Sequence, residues 1–164
     1  MTLRLTLMRH AKSAWDDLSL EDHDRILNKR GRESADALGA WLKNEGLVPQ
    51  RALVSTAKRT LETFRRLMIA APMTPTGALY HAAPDTMMEV LRSSDETDLL
   101  VVGHNPGIGL LALGLAQQAP SHPRFRDYPT GATTVLEFPA DTWAGVMPQT
   151  GRVTHFVIPR ELDG

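Results

Sequence analysis

Six consecutive residues, Asp98-Leu-Leu-Val-Val-Gly103, constrain the fold more than any other stretch of this chain. An apolar run of this length reads as a buried strand, and the apolar segment 106–117 directly after it reads as a helix. The same succession recurs along the sequence. Residues 3–8 (Leu-Arg-Leu-Thr-Leu-Met) alternate like a strand and stop at a basic stretch. After the charged, irregular segment 16–29, residues 30–45 place Ala35, Leu38, Trp41 and Leu42 at helical spacing, with Gly46 as a stop. A short apolar run over 51–55 leads into a helix over 56–68. Residues 72–76 break the pattern, 78–80 (Ala-Leu-Tyr) read as a weak strand, and 84–91 as a helix with Pro84 and Asp85 near its start. Beyond a loop over 119–130, residues 132–138 and 153–158 read as two more strands, separated by an excursion around Trp143. Strand-helix alternation of this kind predicts an α/β fold with a mostly parallel sheet of about six strands.

The 164 residues, 42% hydrophobic and 23% charged, suit one compact domain, so residues 1–164 are expected to form a single domain. A net charge of −1 predicts neither nucleic acid nor an acidic membrane surface as partner. Any anion site must therefore be local. The absence of cysteine removes disulfides, thiolate ligands and cysteine nucleophiles together. No signal-peptide core and no membrane-spanning run is legible, which makes a cytoplasmic location the expectation.

Three short segments share one address. Arg9-His10 follows the first predicted strand, Ser55 to Arg59 the second, and Gly103-His104-Asn105 the strongest one. In an open α/β sheet the ligand crevice forms at the carboxyl ends of the strands, where residues distant in sequence meet. Two arginines and two histidines without ligand-spaced carboxylates are a set for a phosphoryl group. Neither HxH nor HExxH occurs among the six histidines, so no metal and no other cofactor is expected.

The stretch Leu7-Met-Arg-His-Ala-Lys-Ser-Ala-Trp15 resembles the N-terminal signature of the histidine phosphatase superfamily, which includes the phosphoglycerate mutases. That signature usually reads Arg-His-Gly. Here Ala11 replaces the glycine, and Arg-His-Ala-Lys-Ser is similar to the short SixA-type phosphohistidine phosphatases. The resemblance continues through Asp22-His-Asp-Arg-Ile-Leu-Asn-Lys-Arg-Gly31, Val54-Ser-Thr-Ala-Lys-Arg-Thr-Leu-Glu-Thr63 and Val102-Gly-His-Asn-Pro106, and weakly to Pro129-Thr-Gly-Ala132. It implies a phosphoglycerate mutase-like, three-layer α/β/α domain, with His10 as the nucleophile and Arg9, Arg59 and His104 around the phosphate.

Each implied role suits its residue. A neutral imidazole is a competent nucleophile once its other nitrogen donates to a fixed acceptor. Guanidinium groups bind phosphate oxygens in bidentate fashion and stabilise the transferring group. A bound phosphoryl anion favours a protonated His104. Ser13 is either a hydroxyl donor at the pocket edge or a turn former, Ser55 a cap for the following helix, and Arg25 either a substrate contact or a solvated structural residue. The glutamate that serves mutase-like members as general acid has no clear counterpart in Leu79-Tyr-His-Ala-Ala-Pro-Asp85, where His81 and Asp85 are the alternatives. No sizeable cap is inserted, which leaves a pocket open to a protein side chain. The substrate classes are then phosphohistidine on a protein, small phosphate monoesters, or, without turnover, a phosphate- or phosphoprotein-binding module. Oligomeric state is not legible in the residues.

Overall fold

Successive residues of a strand point to opposite faces of its sheet, and this parity sorts the apolar side chains of the chain into two cores. The computed structural model describes residues 2–162. In it β1 (Leu3–Arg9), β2 (Arg51–Val54), β3 (Met73–Pro75), β4 (Asp98–Gly103), β5 (Thr133–Phe138) and β6 (Arg152–Val157) form one sheet in the order β3-β2-β4-β1-β5-β6. Leu3, Leu5 and Leu7 of β1, Leu53 of β2 and Leu99 and Val101 of β4 face one core, which the helices α3 (Pro84–Arg92) and α4 (Gly107–Leu115) cover with Met87, Leu91, Ile108 and Leu111. Met8, Val54, Leu100 and Val102 face the other, covered by Leu38 and Leu42 of α1 (Lys29–Asn44) and Leu67 of α2 (Lys58–Leu67). The result is three layers, as the resemblance implies. Leu5 lies fully buried on the central strand, so Leu5→Ala is expected to cost about 2–5 kcal/mol.

β1 to β4 pair in parallel, whereas β5 runs antiparallel to both β1 and β6, so the sheet is mixed with a parallel majority. The prediction fails at the third strand. Residues 77–79 form a 3-10 turn, and the strand is Met73–Pro75, inside the segment that its prolines mark as a break. β3 is an edge strand, where a proline's missing N–H costs no ladder bond. Pro72 still contributes its carbonyl, which accepts from Ala52 N at 2.9 Å. Among the described residues no helix is long and apolar enough to cross a membrane.

Candidate active site

The ladder that builds the sheet also fixes the backbone of His10. Its N–H donates to Gly103 O at the end of β4 (3.1 Å), and its carbonyl accepts from Gly131 N (2.9 Å) just before β5. Gly131 has φ +77°, and a Cβ there would lie 2.4 Å from Pro159 Cγ, so only glycine fits this turn. Ser55 N likewise donates to Val102 O (3.1 Å), which holds the end of β2 beside the end of β4. Arg59 stands in the first turn of α2, whose Thr63 accepts from Ala11 N (3.0 Å) and donates to Arg59 O (2.7 Å). The loop that carries His10 and α2 are thus tied together through one buried hydroxyl.

The side chains converge on a cleft of about 330 Å³ lined by Arg9, His10, Ser13, Arg59, His81 and His104, with Lys12, Trp15, Asn105 and Thr130. His10 Nδ1 donates to Ala11 O at 2.7 Å, which puts the ring's lone pair on Nε2, where it accepts a long hydrogen bond from Arg59 Nε (3.4 Å). Arg59 Nη2 lies 3.3 Å from His104 Nδ1. Arginine only donates, so His104 accepts at Nδ1 and carries its proton on Nε2, which donates to Ser55 Oγ at 2.7 Å. One guanidinium therefore faces the lone pairs of both histidines, whose ring centres are 5.4 Å apart.

Burial first, then the Arg59 and Arg9 charges, push the His10 imidazole down to about 4. Burial, His10 and Arg59 do the same to His104, which falls to about 3. Both rings are neutral at physiological pH while the pocket is unliganded. Arg9 is lowered by burial and by Arg59, but an arginine stays charged; its Nη1 donates to Tyr128 O (3.1 Å). Its buried Nε has no hydrogen-bond partner among the described residues.

Asp22 is the residue that the sequence reading passes over. Its Oδ2 accepts from Arg59 Nη2 (3.0 Å), from the Tyr80 hydroxyl and from His81 Nε2 (3.0 Å), and its carbonyl accepts from Arg59 Nη1 (2.6 Å). Burial opposes its ionisation, yet the bonds from Tyr80 and Arg59 outweigh it and hold the carboxyl far below the usual range. Asp22 opens the Asp-x-x-Arg stretch, which was the available signal. The arginine of that stretch behaves otherwise than expected: Arg25 is 8% exposed, with its guanidinium 4.0 Å over the Trp15 ring, so it is a buried support for the rim and not a solvated residue. Ser55 is mainly the partner of His104; its contact with Ala57 N is a long 3.5 Å. Asp85 stays exposed in the first turn of α3, away from the cleft lining, which leaves His81 as the one of the two acid candidates that reaches it. Among the described residues no group of three or more histidine, aspartate or glutamate side chains is arranged to hold a metal ion.

Comparison with known proteins places these features in company. A sequence profile of the histidine phosphatase superfamily (branch 1) matches residues 5–80. An uncharacterized protein of Mycobacterium tuberculosis is 37% identical over 160 residues, covering 93% of this chain and 100% of that protein. The structure of a putative phosphohistidine phosphatase SixA from Nakamurella multipartitia is 27% identical, with a TM-score of 0.85 over 97% of both chains. The protein histidine phosphatase SixA complexed with tungstate shares the fold at a TM-score of 0.79 and 19% identity, over 98% of this chain and 100% of that one.

Proposed function

This chain belongs to the histidine phosphatase superfamily and is a phosphatase, and we propose that the phosphoryl group it removes sits on a histidine of a protein. His10 Nε2 attacks phosphorus, the P–N bond to the substrate imidazole breaks, and that imidazole leaves with a proton. Water then attacks the phosphoryl group on His10, which releases inorganic phosphate and restores the free ring. Arg9 and Arg59 neutralise the nonbridging oxygens throughout. The anion that binds also raises His104 from its low value: a protonated Nδ1 gives up the bond from Arg59 Nη2 and donates to a nonbridging oxygen, while Nε2 keeps Ser55.

One observation carries the choice of substrate: the cleft lining contains no carboxyl group. Asp22, the carboxylate bound to Arg59, is ionised and already accepts three side-chain bonds, so it has no proton to give. Expelling an aliphatic alcohol leans on a general acid, whereas imidazole, with a pKa of about 6.5, is protonated without one. A turnover screen tests this reading. Phosphohistidine peptide and activated aryl phosphate should exceed phosphoserine and sugar phosphates in kcat/KM by about 10²-fold or more, and an acid-labile adduct should map to His10. Chelators should leave the rate unchanged, because the arginines supply the charge that a metal supplies elsewhere.

The second reading, a phosphatase of small phosphate monoesters, rests on His81, which lines the cleft with its Nε2 3.0 Å from Asp22. Efficient sugar phosphate turnover that is lost in His81→Gln would favour it. A module that binds phosphate without turnover has no such support, since binding alone does not require a nucleophile held at both backbone atoms.

A further inference from the structure

Beside the catalytic cleft lies a second pocket, of about 340 Å³, where four segments of the chain meet. Each contributes a cation: Lys12 from the nucleophile loop, Arg30 from the first turn of α1, Arg124 from the loop before β5, and Arg160 from the turn after β6. Lys12 and Thr130 line both pockets, so the two are contiguous. No carboxylate lines the second one. Arg124 is paired with Asp127, but Lys12, Arg30 and Arg160 have no ion pair among the described residues.

In a protein with net charge −1 this concentration is not a sample of a generally basic surface. Its walls are also tied to the nucleophile loop. A Cβ on Gly31 would lie 2.0 Å from Lys12 O, so the start of α1 rests directly on that loop's backbone, and Asn28 N donates to Lys12 O at 3.0 Å. Pro159 packs on Gly131, whose N–H holds His10 O. Cations gathered from four segments, whose backbone is anchored beside His10, form a local concentration of positive charge that attracts an anion.

We propose that this pocket is a second anion subsite, taking a carboxylate or phosphate that the substrate carries beside its transferred phosphoryl group. The proposal rests on the phosphatase reading of the neighbouring cleft. On a protein substrate the group is an acidic side chain flanking the phosphohistidine; on a small molecule it is a second phosphate. Either one bridges from the cleft across Lys12 and Thr130.

The test uses the double variant Arg30→Gln/Arg160→Gln, both positions being exposed and outside the cleft lining. Its substrates are phosphohistidine peptides with aspartate or alanine flanks, fructose 1,6-bisphosphate beside fructose 6-phosphate, and aryl phosphate as the reference without a second anion. The wild type should prefer the doubly anionic member of a pair by about three- to tenfold, mainly through KM, and less at high salt. The double variant should lose that preference and keep its aryl phosphate rate. Preference confined to the peptides identifies a protein source, and preference confined to the bisphosphate a small-molecule source. No preference in the wild type, or one that survives in the double variant, overturns the subsite. If aryl phosphate is not hydrolysed at all, the catalytic reading fails separately. Calorimetric binding of the same pairs, in wild type and double variant, then decides the subsite.

Discussion

On one side of the cleft the side chains stand at strand ends and in the first turn of α2, and they are nearly sealed: His10, Arg59 and His104 are 4–6% exposed. On the other side they hang from loops, with Trp15 60% exposed and the His81 side chain 52%. Burial is the first cause that lowers both histidines, so the sealed side holds its two imidazoles neutral. The open side offers access instead. On the proposed function, chemistry and admission fall to different parts of the same wall.

The largest effect should come from the sealed side. His10→Ala is expected to lower kcat by more than about 10³-fold while phosphate binding partly survives, measured by steady-state rates and calorimetry. A variant that kept a substantial rate would dissolve the contrast between the two sides. Next in size is Ser55→Ala, which leaves the His104 Nε2–H buried without its acceptor. That loss, of the order of 1–3 kcal/mol, predicts a rate reduction of about five- to 150-fold if it falls on the transition state.

The third prediction concerns pH. Since His10 and His104 bind protons more weakly in the folded chain than at the ordinary histidine value of about 6.5, the unfolded state takes up more protons between there and about 4. The stability they contribute is fully present above about pH 6.5 and is lost as pH falls toward 4. A drop in Tm of the order of 10 °C between pH 7 and 4.5, reduced by tungstate, is the expected scan. In kinetics the same residues keep kcat/KM, corrected for substrate ionisation, from showing an acid limb until about pH 4. An acid limb near 6.5 would mean that the sealed side is wet.

The smallest effect belongs to the open side: His81→Gln should change turnover of phosphohistidine or aryl phosphate by less than about twofold. A larger loss on those substrates would give His81 a role in the chemistry and erase the division.

This division also explains what the residues disclose before folding. Arg9, His10, Arg59 and His104 are legible because each follows a strand whose apolar run is visible on its own, and parallel strands place their ends together. Asp22 is not, because its partners Arg59, Tyr80 and His81 lie 37 to 59 residues away and meet it only when the loop after β1 closes over α2. Ser55 reads locally as a helix cap, and only the long-range pairing of β2 with β4 turns it toward His104. The third strand escapes for a different reason. Its prolines forbid an interior strand but not an edge, and edge position is a property of the whole sheet.

The order of the sheet has a consequence for a chain emerging from the ribosome. β1 is made first but lies between β4 and β5, so Leu5 must wait for Leu99 on one side and Leu136 on the other. Contacts this distant in sequence form late and slowly. The amide that holds the His10 carbonyl belongs to Gly131, and the pyrrolidine ring against that glycine belongs to Pro159. Nascent fragments that already contain Arg9, His10, Arg59 and His104 therefore lack the frame that aims them, and hydrolytic competence is expected to arrive only as the last strands join.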